Sequence, residues 1–207
     1  MLPSLPSQYT QIEYLQSNAS ASAKVGINTG YVLKADDIVE ITYSSQATAQ
    51  YESVFGARNT NNDYNSYVYF CRFASSNKSV YGRTRQEKQG NSISLNTKYR
   101  VVTNQANCYV YNESGTLLDT INNTGTIEDC VNPCSLFTLN TANGTGYSKD
   151  TASHMKIYEF KITDSNGNYQ RYMIPVRNGT TGGMYDYITQ QFYGEVDGRS
   201  FTLGSDV

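Results

Sequence analysis

Residues 155–162 read Met155-Lys156-Ile157-Tyr158-Glu159-Phe160-Lys161-Ile162. Charged and polar residues alternate there with Tyr158, Phe160 and Ile162, the period-two pattern of a half-buried strand. Asp164-Ser165-Asn166-Gly167-Asn168 follows. Asn-Gly suits the positive φ of a tight turn, and Asp and Ser side chains accept from nearby amides, so the chain should reverse here. A second strand returns over Tyr169 to Val176, with Tyr172, Ile174 and Val176 on one face. The stretch from His154 to Gly204 continues through Gly182-Gly183-Met184-Tyr185-Asp186, Phe192-Tyr193 and Phe201-Thr202-Leu203-Gly204.

The rest of the chain reads as more strands around this hairpin. Asp37 to Ser44 sets Ile38, Glu40 and Thr42 against Val39, Ile41 and Tyr43, a strand with one packed face. Further strands are expected over 12–15, 24–31, 52–58, 66–73, 79–84, 98–103, 107–111, 116–121 and 135–139. Polar residues 85–91 read as a crossover, and 59–65 as a loop. Pro3 and Pro6 forbid a helix at the start, leaving residues 1–8 as an extended lead-in. No ten-residue stretch carries a 3.6 period, and no repeat of 20–50 residues is found. Many short strands between Asn, Gly and Ser turns mean a sandwich or barrel, an all-β fold.

With 207 residues and no Pro/Gly/Ser linker, one domain over residues 1–207 is expected. Nineteen tyrosines and no tryptophan mean that amphipathic rings build much of the core, with hydroxyls at wet edges. Net charge is −2 and charged residues are 16%, which argues against a nucleic-acid partner and against electrostatic membrane binding. No apolar run approaches 18 residues, so no membrane insertion is expected, and the N-terminus shows no signal-peptide pattern. A surface of Asn, Ser, Thr, Gln and Tyr suits carbohydrate hydrogen bonding and an inert extracellular or virion protein equally.

No catalytic or metal constellation is recognisable in the sequence. Glu195-Val196-Asp197 lies between Gly194 and Gly198 and reads as a turn rather than a carboxylate pair. His154, the only histidine, has no Gly-x-Ser-x-Gly partner. Asp164 to Asn168 opens like a calcium loop, but Tyr169 and Pro175 stand where Gly and Glu are needed. Cys130 and Cys134 have metal-like spacing, yet a zinc site would require Cys71 and Cys108 to converge on them. Buried thiols, with one disulfide as an alternative, fit better. Gly182-Gly183 and Gly144-Thr145-Gly146 precede no helix with Lys-Ser/Thr, so they are read as turn glycines with positive φ. What remains is an aromatic and polar surface. Its densest candidate is Arg58, Asn59, Asp63, Tyr64, Asn65 and Tyr67, with Tyr81 and Arg83 from the neighbouring strand. Tyr rings stack on sugar CH faces, and the polar groups match hydroxyls. The plainer reading, which these residues favour, is that the tyrosines are core and edge residues of a sheet without Trp.

The chain also resembles a known family. Leu5-Pro6-Ser7-Gln8-Tyr9-Thr10-Gln11-Ile12-Glu13-Tyr14-Leu15, Val25 to Gly30, Phe55-Gly56-Ala57-Arg58-Asn59, and the closing run of Ile-Pro-Val-Arg-Asn, Gly-Met-Tyr-Asp, Phe-Tyr and Phe-Thr-Leu-Gly are similar to laminin-G-like, concanavalin A-like modules of bacterial surface and phage or prophage proteins. The resemblance implies a jelly-roll β-sandwich of two antiparallel sheets, complete by Gly204. It implies a non-catalytic carbohydrate-binding or receptor-binding module in a phage virion (tail, fibre or capsid surface) or on a bacterial surface. The alternative it leaves is a structural decoration or fibre protein, which would be a homo-oligomer contacting other virion or surface proteins. Assembly in a reducing cytoplasm would keep the thiols free. No cofactor is implied; such modules often bind calcium at a sheet rim, but no matching ligand set is visible in this sequence.

Overall fold

The structure, a computed structural model, describes residues 2–18, 23–46, 51–58, 67–73, 78–83, 86–104, 107–123, 128–141 and 153–207. The chain opens with β1 (Thr10–Gln11), β2 (Leu15–Asn18), β3 (Ile27–Asn28) and β4 (Ile38–Ser45). Next come β5 (Tyr51–Arg58), β6 (Tyr67–Phe73), β7 (Lys78–Arg83) and β8 (Gln86–Ser92). They are followed by β9 (Tyr99–Asn104), β10 (Asn107–Asn112), β11 (Leu117–Asn122) and β12 (Ser135–Leu136). The C-terminal third holds β13 (His154–Thr163), β14 (Tyr169–Asn178), β15 (Thr181–Asp186), β16 (Gln191–Tyr193) and β17 (Thr202–Leu203). Among the described residues there is no helix.

The strands form two sheets. The larger runs β11-β10-β9-β4-β13-β14-β15-β16, with β1 beside β14, and β2 between β13 and β17. The smaller runs β3-β12-β5-β6-β7-β8. The named strands all pair antiparallel. The all-β sandwich of two antiparallel sheets expected from the sequence is the architecture observed. Val39, Ile41 and Tyr43 of β4 and Ile157, Phe160 and Ile162 of β13 are fully buried in one core with Phe55, Phe70 and Tyr81 of the smaller sheet. Rings bridge the layers: Phe160 lies 6.2 Å from Phe55, and Tyr43 meets Phe70 edge-on at 5.8 Å. Each such side chain contributes roughly 1.5–3 kcal/mol by leaving water.

Three local readings are corrected. Residues 85–91 are not a crossover, because β8 pairs with β7 along the smaller sheet's edge. An edge strand can be wet on both faces, and Glu87, Lys88 and Gln89 are exposed, so its polar sequence hides it. Gly182 and Gly183 are not turn glycines. They lie inside β15, and neither has positive φ; the turn before them uses Gly179 at φ +60°. Their lack of a Cβ makes room instead for Leu203 and Leu15 over Gly182, and for the Phe192 ring over Gly183. In β13, alternation breaks at a bulge. Ile157 pairs with Tyr43 and Glu159 with Thr42, so Tyr158 is an extra residue. Ile157 and Phe160 are buried and Tyr158 is not on their face.

In β14, Tyr172, Ile174 and Val176 do share a face, but it is the one turned away from the main core, into which Met173 points. Ile174 and Val176 join Tyr185 of β15 in a second apolar cluster, packed by Leu5, Tyr9, Tyr172, Tyr187 and Phe192. Tyr9 stacks on Phe192 at 5.6 Å and leans on Tyr185 at 5.3 Å. The lead-in is thereby fastened across the outer face of the larger sheet. The 164–168 turn forms as expected: the Asp164 carboxylate accepts from the Asn166 and Asn168 amides at 2.9 and 2.8 Å, and Gly167 has φ +83°. Cys108, Cys130 and Cys134 are buried free thiols. Burial pushes the Cys108 and Cys134 thiols well up.

Candidate ligand groove on the outer face of the larger sheet

The bulge at Tyr158 decides what the outer face displays. A regular strand sends successive side chains to opposite faces. Here Tyr158 and Glu159 both line a groove of about 450 Å³. The groove crosses β4, β13 and β14. Thr42 contributes from β4, Tyr172 and Ile174 from β14, Tyr187 from just past β15, and Gln11 from β1. Leu2 and Pro3 of the lead-in and Lys98 ahead of β9 also line it.

The tyrosines are held by their neighbours. The Tyr158 hydroxyl lies 3.2 Å from Ser44 Oγ, and its ring meets Tyr14 edge-on at 5.8 Å with Lys98 Nζ 4.4 Å from its centroid. Tyr172 packs against Tyr169 at 5.3 Å and Tyr187 at 5.7 Å, with Lys161 Nζ 4.7 Å from its centroid. Burial, then a hydrogen bond to Glu159, raises the Tyr172 phenol above its usual range. Lys161 sits between two carboxylates, Glu159 at 2.8 Å and Glu40 at 3.6 Å, and Arg100 reaches Glu40 at 3.2 Å. Burial alone would lower the Lys161 pKa, but the Glu159 hydrogen bond and the charges of Glu159 and Glu40 prevail and raise it. The result is a preorganised row of half-buried aromatic rings threaded with paired charges. Flat apolar faces next to fixed donors and acceptors are what a polyhydroxylated ligand requires. Among the described residues no group of three His, Cys, Asp or Glu is placed to hold a metal ion.

Of the residues expected to form a site, Asn59, Asp63, Tyr64 and Asn65 lie outside the described residues. Arg58 ends β5, its amide donating to the Asn140 carbonyl at 2.8 Å and its carbonyl accepting from Asn132 Nδ2 at 2.8 Å. Tyr67 is its cross-strand partner, and Arg83 pairs with Val68, so these three backbones do meet at one end of the smaller sheet. Tyr81 is a correction: it is 0% exposed, packed in the main core opposite Phe70, and offers no ring to a ligand. The groove residues Thr42, Lys98, Tyr158, Glu159 and Tyr172 were not among the site residues expected from the sequence. One signal was there. Met155, Ile157, Phe160 and Ile162 are spaced two, three and two apart, and an odd step between apolar residues in one strand marks a bulge.

No protein-family model and no curated protein sequence matches the chain. Solved structures do match in shape. A proposed carbohydrate-binding protein from Bacteroides ovatus superposes with a TM-score of 0.60 at 9% identity, over 94% of this chain and 60% of that one. That likeness is one of fold. This chain thus spans less than two thirds of that protein's length. Domains LG4-5 of the mouse laminin α1 chain give 0.44 at 11% identity, over 82% of this chain and 44% of theirs. Scytalido-glutamic peptidase gives 0.42 at 10% identity, over 77% and 84%.

Proposed function

We propose that this protein is a non-catalytic recognition module that binds a carbohydrate in the groove over β4, β13 and β14, as part of a phage virion or a bacterial surface protein. The observation that carries the reading is the convergence of Tyr158, Glu159, Tyr172 and Tyr187 on one groove. The shared fold with a proposed carbohydrate-binding protein supports it at the level of architecture. Both groove carboxylate neighbours, Glu40 and Glu159, are engaged by Lys161, which suits fixed hydrogen-bond acceptors better than a proton donor. The sequence resemblance supports the virion or surface setting. A glycan array tests binding. Hits that fall at least tenfold with Tyr158→Ala or Tyr172→Ala support the groove; hits lost with Tyr64→Ala and Tyr67→Ala, and unmoved by the first pair, would relocate the site to the smaller sheet.

One observation favours the structural alternative. β11 ends one side of the larger sheet, where Asn91 of β8 reaches its Leu118 carbonyl at 3.4 Å, and its Leu117 and Leu118 side chains are 49% and 46% exposed. An exposed apolar edge strand invites another strand. Light scattering that shows a stable oligomer, with an interface above about 1,000 Å², together with an empty array, would favour a decoration or fibre role.

A further inference from the structure

The charge around the groove is not that of the whole protein. The chain carries a net −2. On the outer face, Lys98, Arg100, Lys156 and Lys161 stand against Glu40, Glu159 and the more distant Glu113. Three of these cations are paired: Lys161 with Glu159 and Glu40, Arg100 with Glu40, and Lys98 with Glu113 at 3.1 Å. The Lys98 pair is a surface one, its Glu113 side chain 71% exposed, so it is held weakly and can be exchanged. Lys156 pairs with no carboxylate among the described residues. Its ammonium lies 3.9 Å from the Tyr14 ring centroid.

These groups form a shelf at the Tyr158 end of the groove. Tyr14 and Tyr158 touch edge-to-face at 5.8 Å, Lys156 covers Tyr14, and Lys98 covers Tyr158 at 4.4 Å. An ammonium over a ring face gains modestly from the ring alone and strongly from an anion that completes its hydrogen bonds. Resting on the groove reading above, we propose that the saccharide carries an anionic substituent, held between Lys98 and Lys156 on the Tyr14–Tyr158 shelf. A sugar ring against Tyr158 would leave a carboxylate, sulfate or phosphate within reach of both lysines. Neutral sugars would leave Lys156 without a counter-charge.

The test is an array that sets uronate-, sialate-, sulfate- and phosphate-bearing oligosaccharides beside their neutral counterparts, followed by titration of the best hit. Acidic hits are expected to exceed their neutral counterparts. Lys156→Gln should weaken the best one about tenfold, while Lys88→Gln on exposed β8 leaves it unchanged. Raising salt from about 0.05 to 0.5 M should weaken it too, as screening shortens the reach of exposed charges. Which acidic class binds tells carboxylate from phosphate or sulfate. Neutral hits as tight as acidic ones, lost with Tyr158→Ala but not with Lys156→Gln, would overturn this inference and leave the groove standing. No hits, or hits indifferent to Tyr158→Ala, would overturn both.

Discussion

Deleting Tyr158 outright should leave the sandwich folded. A one-residue deletion in a central strand normally reverses every side chain beyond it. Here the deleted residue is the bulge itself. Without it, Ile157, Glu159, Phe160, Lys161 and Ile162 alternate regularly, and the pairings Ile157–Tyr43, Glu159–Thr42 and Phe160–Ile41 are all kept. The loss is then confined to Tyr158's own contacts. Its edge contact with Tyr14 contributes about 0.5–1.5 kcal/mol, the Lys98 contact about 0.5–1 kcal/mol, and the Ser44 hydrogen bond about 0.5–1.5 kcal/mol. Together these amount to about 1.5–4 kcal/mol, a fall in Tm of roughly 3–16 °C for a chain this long. Deleting Glu40 in the regular strand β4 is the control. It would turn Val39, or Ile41 and Tyr43, out of the core, and all three are fully buried. Each costs about 1.5–3 kcal/mol for exposure alone, and more for the cavity it leaves. The total is comparable to an entire stability of about 5–15 kcal/mol. Urea unfolding followed by circular dichroism reads both variants, and carbohydrate binding should vanish from the Tyr158 deletion although it folds. If that deletion unfolds as completely as the Glu40 deletion, the bulge argument is wrong.

Other expectations can be checked alongside. Gly183→Ala would set a Cβ against the Phe192 ring and 2.7 Å from the Tyr193 carbonyl, and should cost about 1–3 kcal/mol in chemical denaturation. Tyr9→Ala removes the stacks on Phe192 and Tyr185, worth about 1–3 kcal/mol together; limited proteolysis should then cut the lead-in faster than in the parent chain. The Asp164 carboxyl is held below its usual range, first by the Asn168 amide, and Asp206 likewise by Arg177. A depressed folded value means stabilisation that is present above the ordinary carboxylate pKa of about 3.9 and lost as pH falls through the lowered one. An NMR titration should show both groups protonating below ordinary Asp; normal values would refute the turn geometry. Cys108, Cys130 and Cys134 should resist a thiol reagent at pH 8 in the native state and react in denaturant, read by peptide mass mapping.

Much of the fold was legible because it rests on local signals. β4 alternates cleanly because Val39, Ile41 and Tyr43 face the core while Glu40 and Thr42 face water. The 164–168 turn was legible because Asp164 satisfies its own turn amides, a contact between near neighbours in sequence. β8 was not, because an edge strand draws its stability from backbone pairing to β7 and needs no apolar residues. Of the candidate site, Tyr81 is the residue that the structure corrects. Tyr81 has the sequence look of a surface aromatic, yet it is fully buried in the main core, because its side of β7 faces the other sheet, and that orientation is settled by strand pairing rather than by its neighbours in sequence.

The sequence by itself determined the class of structure: short alternating strands, Asn-Gly turns and no basic stripe are all written in neighbouring residues, whereas the tyrosines expected to build the core supply, among the described residues, only Tyr43, Tyr81 and Tyr99 to its main buried cluster. Buried thiols, the reading preferred from the sequence, are what the structure shows for Cys108, Cys130 and Cys134. Only the tertiary structure decided which face of the hairpin looks outward. Tyr172, Ile174 and Val176 look like a core face, but Met173 takes the core, and the lead-in covers the rest through Leu5 and Tyr9. Only the tertiary structure set Tyr158 beside Glu159, by holding β13 in register with β4 on both sides of one extra residue. Alternation is a property of one strand, whereas the side that meets another sheet is settled by partners distant along the chain.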